Sequence, residues 1–377
     1  MNIKEFKVKF GNVSLSPGDK ELDYMDKNKR LELMNSLFSA YVQDTYEKST
    51  FFRNHLKNKK IDPKKVFKPE DLKDVLLGKN TLALISADEL LPDEYINNFD
   101  KGLDKLEFPL RIGKTFSSSG STGRPAEVYY TSKDWDNTKA AIIRTMHHIP
   151  LKEWSRTFNG FHQGHVAGKI YEDAFNMGGS LVKNRHFTST NDSDSINQII
   201  KGKSNALCVP ADSGKVSKGG DLKNMLVADI DNIIGKQIRV IITTGGPRQQ
   251  YLIDQVHKRN ELAGANFKTK FIDMAGCAEV LPTVSECEFN SGMHIMPGII
   301  NVEVINPKTL KHVKNGERGL LIYTGFKQGS RFIRYIVGDE ATFIDEPCKC
   351  GRTTPRVKDL QRVIDIQRFE EGCGVWK

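Results

Sequence analysis

The chain has 377 residues and a mass of 42.5 kDa, with 38% hydrophobic and 27% charged residues. That size and composition support a substantial core, as one large domain or two to three subdomains, and exclude wholesale disorder. There are 56 Lys and Arg against 47 Asp and Glu, a formal net charge of +9. Scattered lysines such as Lys57, Lys59, Lys60, Lys64 and Lys65, with no Arg-rich arm or zinc-finger spacing, argue against a nucleic-acid partner. A solvated basic surface that attracts anionic substrates is the simpler expectation. No apolar run reaches the roughly 18 residues of a membrane span, and the charged stretch from Met1 to Phe10 has no signal-peptide core. A cytoplasmic, reduced chain is therefore expected, in which closely spaced members of the six cysteines suggest a metal rather than a disulfide.

In chain order, residues 1–105 read as mostly helical, without obvious chemistry. Met34, Leu37, Phe38, Tyr41 and Val42 form one helical stripe, and Asp62–Pro63 and Lys68–Pro69 punctuate loops. Short β-rich runs follow, at Ala206–Val209, Ile238–Thr243, Phe271–Met274, Ile299–Val304 and Leu320–Tyr323. Helical stretches such as Arg248–Arg259 lie between them, and the alternation predicts an α/β architecture.

The strongest local signal is the run from Thr115 to Pro125, which contains Ser118, Ser119, Gly120, Ser121, Thr122 and Gly123. Consecutive hydroxyls and glycines offer many donors and little bulk, so their N–H and O–H groups can wrap a polyphosphate. The GxxxxGK[ST] spacing of the P-loop is absent. A plain flexible linker is the alternative, which the strand expected at Ala126–Tyr130 argues against. Further along stand His165-Val166-Ala167-Gly168, Thr244-Gly245-Gly246-Pro247, Gly276-Cys277-Ala278-Glu279 and Arg334-Tyr335-Ile336-Val337-Gly338-Asp339.

Taken in this order, the motifs closely resemble those of the acyl-adenylate-forming enzymes, the superfamily of acyl-CoA synthetases and peptide-synthetase adenylation domains. The resemblance spans about residues 106–366. Residues from Glu286 to His294, then Glu303 to Pro307, then Cys348 to Arg352, are similar to phenylacetate-CoA ligases and to the acyl-protein synthetases of bacterial luminescence. The chain departs from the family pattern at Ala275, where an aromatic residue is frequent, at Ala278 in place of Ser or Thr, and at Gln361–Arg362 in place of Gly–Arg.

The resemblance implies the family's large N-terminal body, α/β subdomains plus a small distorted β-barrel, preceded by a mostly helical region. Expected boundaries are 1–105 for that region, 106–360 for the adenylate-forming core and 361–377 for a hinge remnant and short tail. It also implies roles. The loop residues Ser118 to Gly123 would cradle the β- and γ-phosphates of ATP. His165 would stand beside the carboxylate pocket, and Gly245, Gly246, Pro247 and Gly276 near the nucleotide. Glu279 would carry Mg²⁺, Asp339 would accept from ribose hydroxyls, and Arg362 would lie near ribose or phosphate. Bland alternatives remain open at this point: a surface carboxylate for Glu279, a turn residue for Asp339, an ordinary histidine for His165, and a simple turn for Gly245–Gly246.

Cys287, His294, Cys348 and Cys350 form a Cys-x6-His and Cys-x-Cys set, whose soft ligands suit a tetrahedral structural zinc. The alternative is reduced loop thiols and a solvent-facing histidine. Cys208 and Cys277 stand apart as packed thiols.

The expected activity is that of an acid–thiol ligase. ATP and a carboxylic acid give acyl-AMP and pyrophosphate, and the acyl group passes to CoA or to a protein cysteine. In the family a mobile lid of roughly a hundred residues follows the hinge, here near Asp365, and supplies a lysine. Only Ile366 to Lys377 follow in this sequence, which suggests either a lid supplied by a partner or another acceptor. Cys373, between Gly372 and Gly374, is one candidate acceptor on the resemblance to the luminescence synthetases, with a reductase as the recipient. A stray tail cysteine is its alternative. Outside enzymology, a non-catalytic nucleotide-binding or nucleic-acid-binding protein remains open.

Overall fold

The structure, a computed structural model, describes residues 3–78, 86–99, 111–117, 127–186, 191–212, 220–244, 250–282 and 284–363. The chain divides into two units: Ile142–Gly276 with Val284–Met293, and Asn2–Ala141 with Cys277–Thr283 and His294–Lys377. Among the described residues no helix is long and apolar enough to cross a membrane.

The second unit begins with a hairpin, β1 (Val8–Phe10) and β2 (Val13–Leu15), inside the region expected to be mostly helical. Gly11, at φ +51°, turns it. A 22-residue helix, Lys27–Lys48, follows, and the Asp26 carboxylate accepts from the N–H groups of Asn28 and Lys29 at its start. Its buried face is the stripe read from the sequence, Met34, Leu37, Phe38, Tyr41 and Val42. Tyr41 sets its ring edge-on to Phe10 and Phe326, at 4.7 and 5.4 Å between centroids. The two X–Pro punctuations become short 3-10 turns, Pro63–Lys65 and Pro69–Leu72. Strands β3 (Ile112–Ser117) and β4 (Glu127–Thr131) pair antiparallel. Ser118, Ser119, Gly120, Ser121, Thr122 and Gly123, between these strands, lie outside the described residues.

The first unit holds β5 (Arg156–Asn159), β6 (Leu181–Asn184), β7 (Ala206–Pro210), β8 (Val240–Thr244) and β9 (Lys270–Ala275). They form a parallel sheet in the order β6-β5-β7-β8-β9, and the short β10 (Val284–Ser285) adds antiparallel to β9. Helices supply the crossovers that parallel strands need: Val166–Met177, Asp192–Gly202, Leu222–Ala228 with Ile233–Gln237, and Gln250–Leu262. Helices packed on the sheet explain why β7 and β8 are buried almost throughout rather than on alternate residues. Phe158, Leu207, Val209, Ile241, Leu252, Val256 and Phe271 form the core between sheet and helices. Each such side chain contributes about 1.5–3 kcal/mol by leaving water.

The second unit also holds an antiparallel sheet, β12 (Ile300–Ile305), β13 (Arg318–Gly325), β14 (Phe332–Ile344) and β15 (Arg356–Arg362). The three-residue β11 (Met293–Ile295) lies beside β15. Irregular register in β13–β14 and a positive φ of +89° at Gly338 re-aim the side chains of β14.

Candidate functional site

Glu279 sits on the short segment that begins at Cys277 and is only 3% exposed, which removes the surface-carboxylate alternative. Three side chains of the same unit fix it. The Tyr335 hydroxyl, from β14, donates to Glu279 Oε1 at 3.0 Å. The Lys327 ammonium donates to the Glu279 carbonyl at 2.8 Å. The Tyr130 hydroxyl, from β4, donates to the Ala278 carbonyl at 2.6 Å. Lys327 Nζ also lies 3.7 Å over the Tyr130 ring. Burial pushes the Lys327 ammonium down to about 7, against the pull of Asp134, Cys277 and Glu279. Burial, then Glu279, push both the Cys277 thiol and the Tyr335 hydroxyl well up.

Lys327 owes its position to the turn between β13 and β14. Asp134, at the start of the helix Ser132–Thr145, accepts from the N–H groups of Gln328 and Gly329 at 2.8 Å each. The Ser330 N–H donates to the Tyr129 carbonyl at 2.9 Å. Gly329 lies so close to that carbonyl that a Cβ would collide with it.

Asp339, on β14, stands opposite Arg362 of β15 in the ladder, and so lies in a strand rather than a turn. Arg362 Nε is 3.1 Å from Asp339 Oδ1, and its Nη1 donates to the Val337 carbonyl at 2.6 Å. The same strand points Arg334 into the core. There its Nε and Nη2 meet the two Glu303 carboxylate oxygens at 3.0 Å each. The motif from Arg334 to Asp339 therefore divides between a buried ion pair, the Tyr335 hydroxyl on Glu279, and the Asp339 carboxylate.

In the second unit His294, Cys348 and Cys350 bring their ligand atoms within 4.8 Å of one another. Cys350 Sγ is 3.5 Å from His294 Nε2, and His294 Nδ1 meets Thr354 Oγ1 at 2.8 Å, a contact that orients the ring. His294 and Cys348 are buried, which excludes a solvent-facing histidine. Cys287, also buried, lies in the closing segment of the first unit, seven residues before His294 in the chain.

His165 belongs to the first unit, between β5 and the helix Val166–Met177. Its Nδ1 caps that helix by accepting from the Ala167 N–H at 3.2 Å. Gly168 can only be glycine, because a Cβ would collide with the His162 carbonyl. Gly276 follows β9. Gly245, Gly246, Pro247 and Cys373 lie outside the described residues. Reading the sequence missed Tyr130, Lys327 and Tyr335 as groups around Glu279. Only Tyr335 carried a signal, through its place in the Tyr-x-x-Gly-Asp motif.

No family model matches the chain. A phenylacetate-coenzyme A ligase of Thermus thermophilus is 22% identical over 366 residues, 94% of this chain and 75% of the relative. Among solved structures, an open conformation of 2-hydroxyisobutyryl-CoA ligase with 2-HIB-AMP and CoA matches at a TM-score of 0.75 and 18% identity. The match covers 92% of this chain and 77% of that one. The same ligase in its thioesterification state matches at a TM-score of 0.71 and 19% identity, over 92% and 70%. These likenesses bear out the fold class and the resemblance to adenylate-forming enzymes of the phenylacetate-CoA ligase branch.

Proposed function

We propose that this chain, an adenylate-forming ligase by fold and sequence relationship, activates a carboxylic acid with ATP and passes the acyl group to a thiol. The observation that carries the reading is the buried Glu279, fixed on its side chain and its carbonyl within the unit that also presents Asp339 and Arg362. Acyl-AMP formation brings two anions together, so catalysis depends on positioning and charge neutralisation. Glu279, whose Oε1 accepts from the Tyr335 hydroxyl, fits a hard divalent cation in donor type and would hold Mg²⁺. When bound, that cation would offset phosphate charge. Asp339 would accept from the ribose hydroxyls beside Arg362. Ser118, Ser119, Gly120, Ser121, Thr122 and Gly123 would cradle the β- and γ-phosphates. Gly245, Gly246, Pro247 and Gly276 would border the nucleotide, and His165 the acid. Residues 106–360 would form this core, with 361–377 as hinge and tail.

CoA is the favoured acceptor, because both named relatives are CoA ligases. Transfer through Cys373 is the second reading, supported by its flanking glycines. It predicts a hydroxylamine-labile label from labelled acid that disappears in Cys373→Ser. His294, Cys348 and Cys350, with Cys287 as the fourth ligand, would hold a structural zinc.

ATP–pyrophosphate exchange across a panel of carboxylic acids tests the reading. Acid-dependent exchange that requires Mg²⁺ is expected. ATP binding without exchange for any acid would favour a non-catalytic nucleotide-binding protein instead.

A further inference from the structure

Lys327 is 2% exposed, with its ammonium against an aromatic ring and a main-chain carbonyl. A lysine is almost never fully buried unless paired. Burying an amine that can carry charge is unfavourable in a way that an apolar side chain of similar length is not. Stability alone therefore does not account for an ammonium here, whereas its contacts do suggest a task. The Tyr130 ring beneath it belongs to β4, and the Tyr130 hydroxyl holds the Ala278 carbonyl while Lys327 holds the next one. Two consecutive carbonyls are thus pinned from one strand and one turn, and Tyr335 fixes the Glu279 carboxylate between them. The turn that carries Lys327 is itself clamped by Asp134 next to β4.

We propose that Lys327 is a positioning residue for Glu279. It joins the Glu279 segment to β4 and so holds the carboxylate where the divalent cation of a bound nucleotide meets it. This role rests on the part of the proposed function that gives Glu279 the cation of a bound nucleotide. Lys327→Met keeps the shape and removes the donor, while Lys327→Gln keeps a donor and removes the charge.

The experiment measures calorimetric ATP binding to the full chain, with Mg²⁺ and with EDTA, beside pyrophosphate exchange. Lys327→Met should weaken ATP binding in Mg²⁺ by about ten- to a hundredfold, the range seen when groups that orient a metal ligand are removed. Binding in EDTA and the KM of the acid should stay within about twofold of wild type. Lys327→Gln should keep most of the Mg²⁺-dependent affinity. General loosening would weaken ATP binding equally with and without the metal, and that result overturns the role, as does unchanged binding in Mg²⁺. If Lys327→Met does not fold, the same comparison on Lys327→Leu decides: a loss confined to Mg²⁺ supports the role, and equal losses in both media, or no loss, overturn it. A wild-type chain that exchanges with no acid, yet shows the metal-selective loss in Lys327→Met, defeats the adenylation reading and leaves the positioning role standing. A wild-type chain that binds no ATP defeats both.

Discussion

Asp339 and Arg362 are direct cross-strand partners of β14 and β15, with Arg362 Nε 3.1 Å from Asp339 Oδ1. The arginine side chain is 48% exposed and the aspartate 18%. A pair open to water contributes only about 0–1 kcal/mol to stability. Arg362 therefore orients the carboxylate without adding much to the fold.

Asp339→Asn should test that division. Losing charge-assisted hydrogen bonds to ribose costs about 1.5–3 kcal/mol, or roughly ten- to a hundredfold in the KM for ATP. The acid KM should hold, and urea stability should change by less than about 1 kcal/mol. An unchanged ATP KM in pyrophosphate exchange would remove Asp339 from the nucleotide site.

Glu279→Gln keeps the shape and removes the anion. A bound cation stabilises the transition state by several kcal/mol, so exchange should fall by about a hundredfold or more. Tyr335→Phe removes one hydrogen bond to Oε1, worth about 0.5–1.5 kcal/mol, and should cost only severalfold. Both proteins should fold. Equal rates for wild type and Glu279→Gln at saturating ATP would end the magnesium assignment.

Periodicity carried the helix Lys27–Lys48, and apolar runs carried β7, β8, β9, β12 and β13, because both signals are local. The hairpin of β1 and β2 escaped because two three-residue strands are too short to show a period. At the site, Glu279 and Asp339 were legible because a motif surrounds each. Lys327 was not, because it acts on a carbonyl 48 positions away and its own neighbours spell only a turn. Asp134, whose carboxylate holds that turn, is separated from it by 194 and 195 positions. Thr354, which orients His294 across 60 positions, is equally silent in the sequence.

For the Cys/His set, elemental analysis of protein purified without chelator should find about one zinc per chain. Binding energy at such a site is folding energy. A strong chelator should therefore lower the melting temperature, and Cys348→Ser should reproduce that loss without metal removal. Absence of zinc, together with free alkylation of Cys348 and Cys350 in the native state, would defeat the site.

His312 gives a pH prediction with a defined sign. Its Nε2 lies 3.0 Å from Glu303 Oε1 and its Nδ1 3.2 Å from Glu70 Oε1. Hydrogen bonding to Glu303, then to Glu70, raises the imidazolium from 6.5 to about 9. The native state therefore holds this proton more tightly than the unfolded chain. The stabilisation is fully present below pH 6.5 and is lost as pH rises through about 9. Glu70 works in the opposite window. The His312 hydrogen bond lowers it from 4.5 to about 2, so its share is present above 4.5 and is lost as pH falls through about 2. Glu303 is buried and keeps Arg334 as a partner, whereas His312 and Glu70 are partly exposed, so salt screens the Glu70 contact most. The difference in urea midpoint between wild type and His312→Gln should then be largest near pH 5–6. It should shrink progressively towards pH 9–10, and 0.5 M NaCl should reduce it only in part. A difference that stays constant from pH 5 to pH 10 would show that the imidazole packs there without carrying its proton.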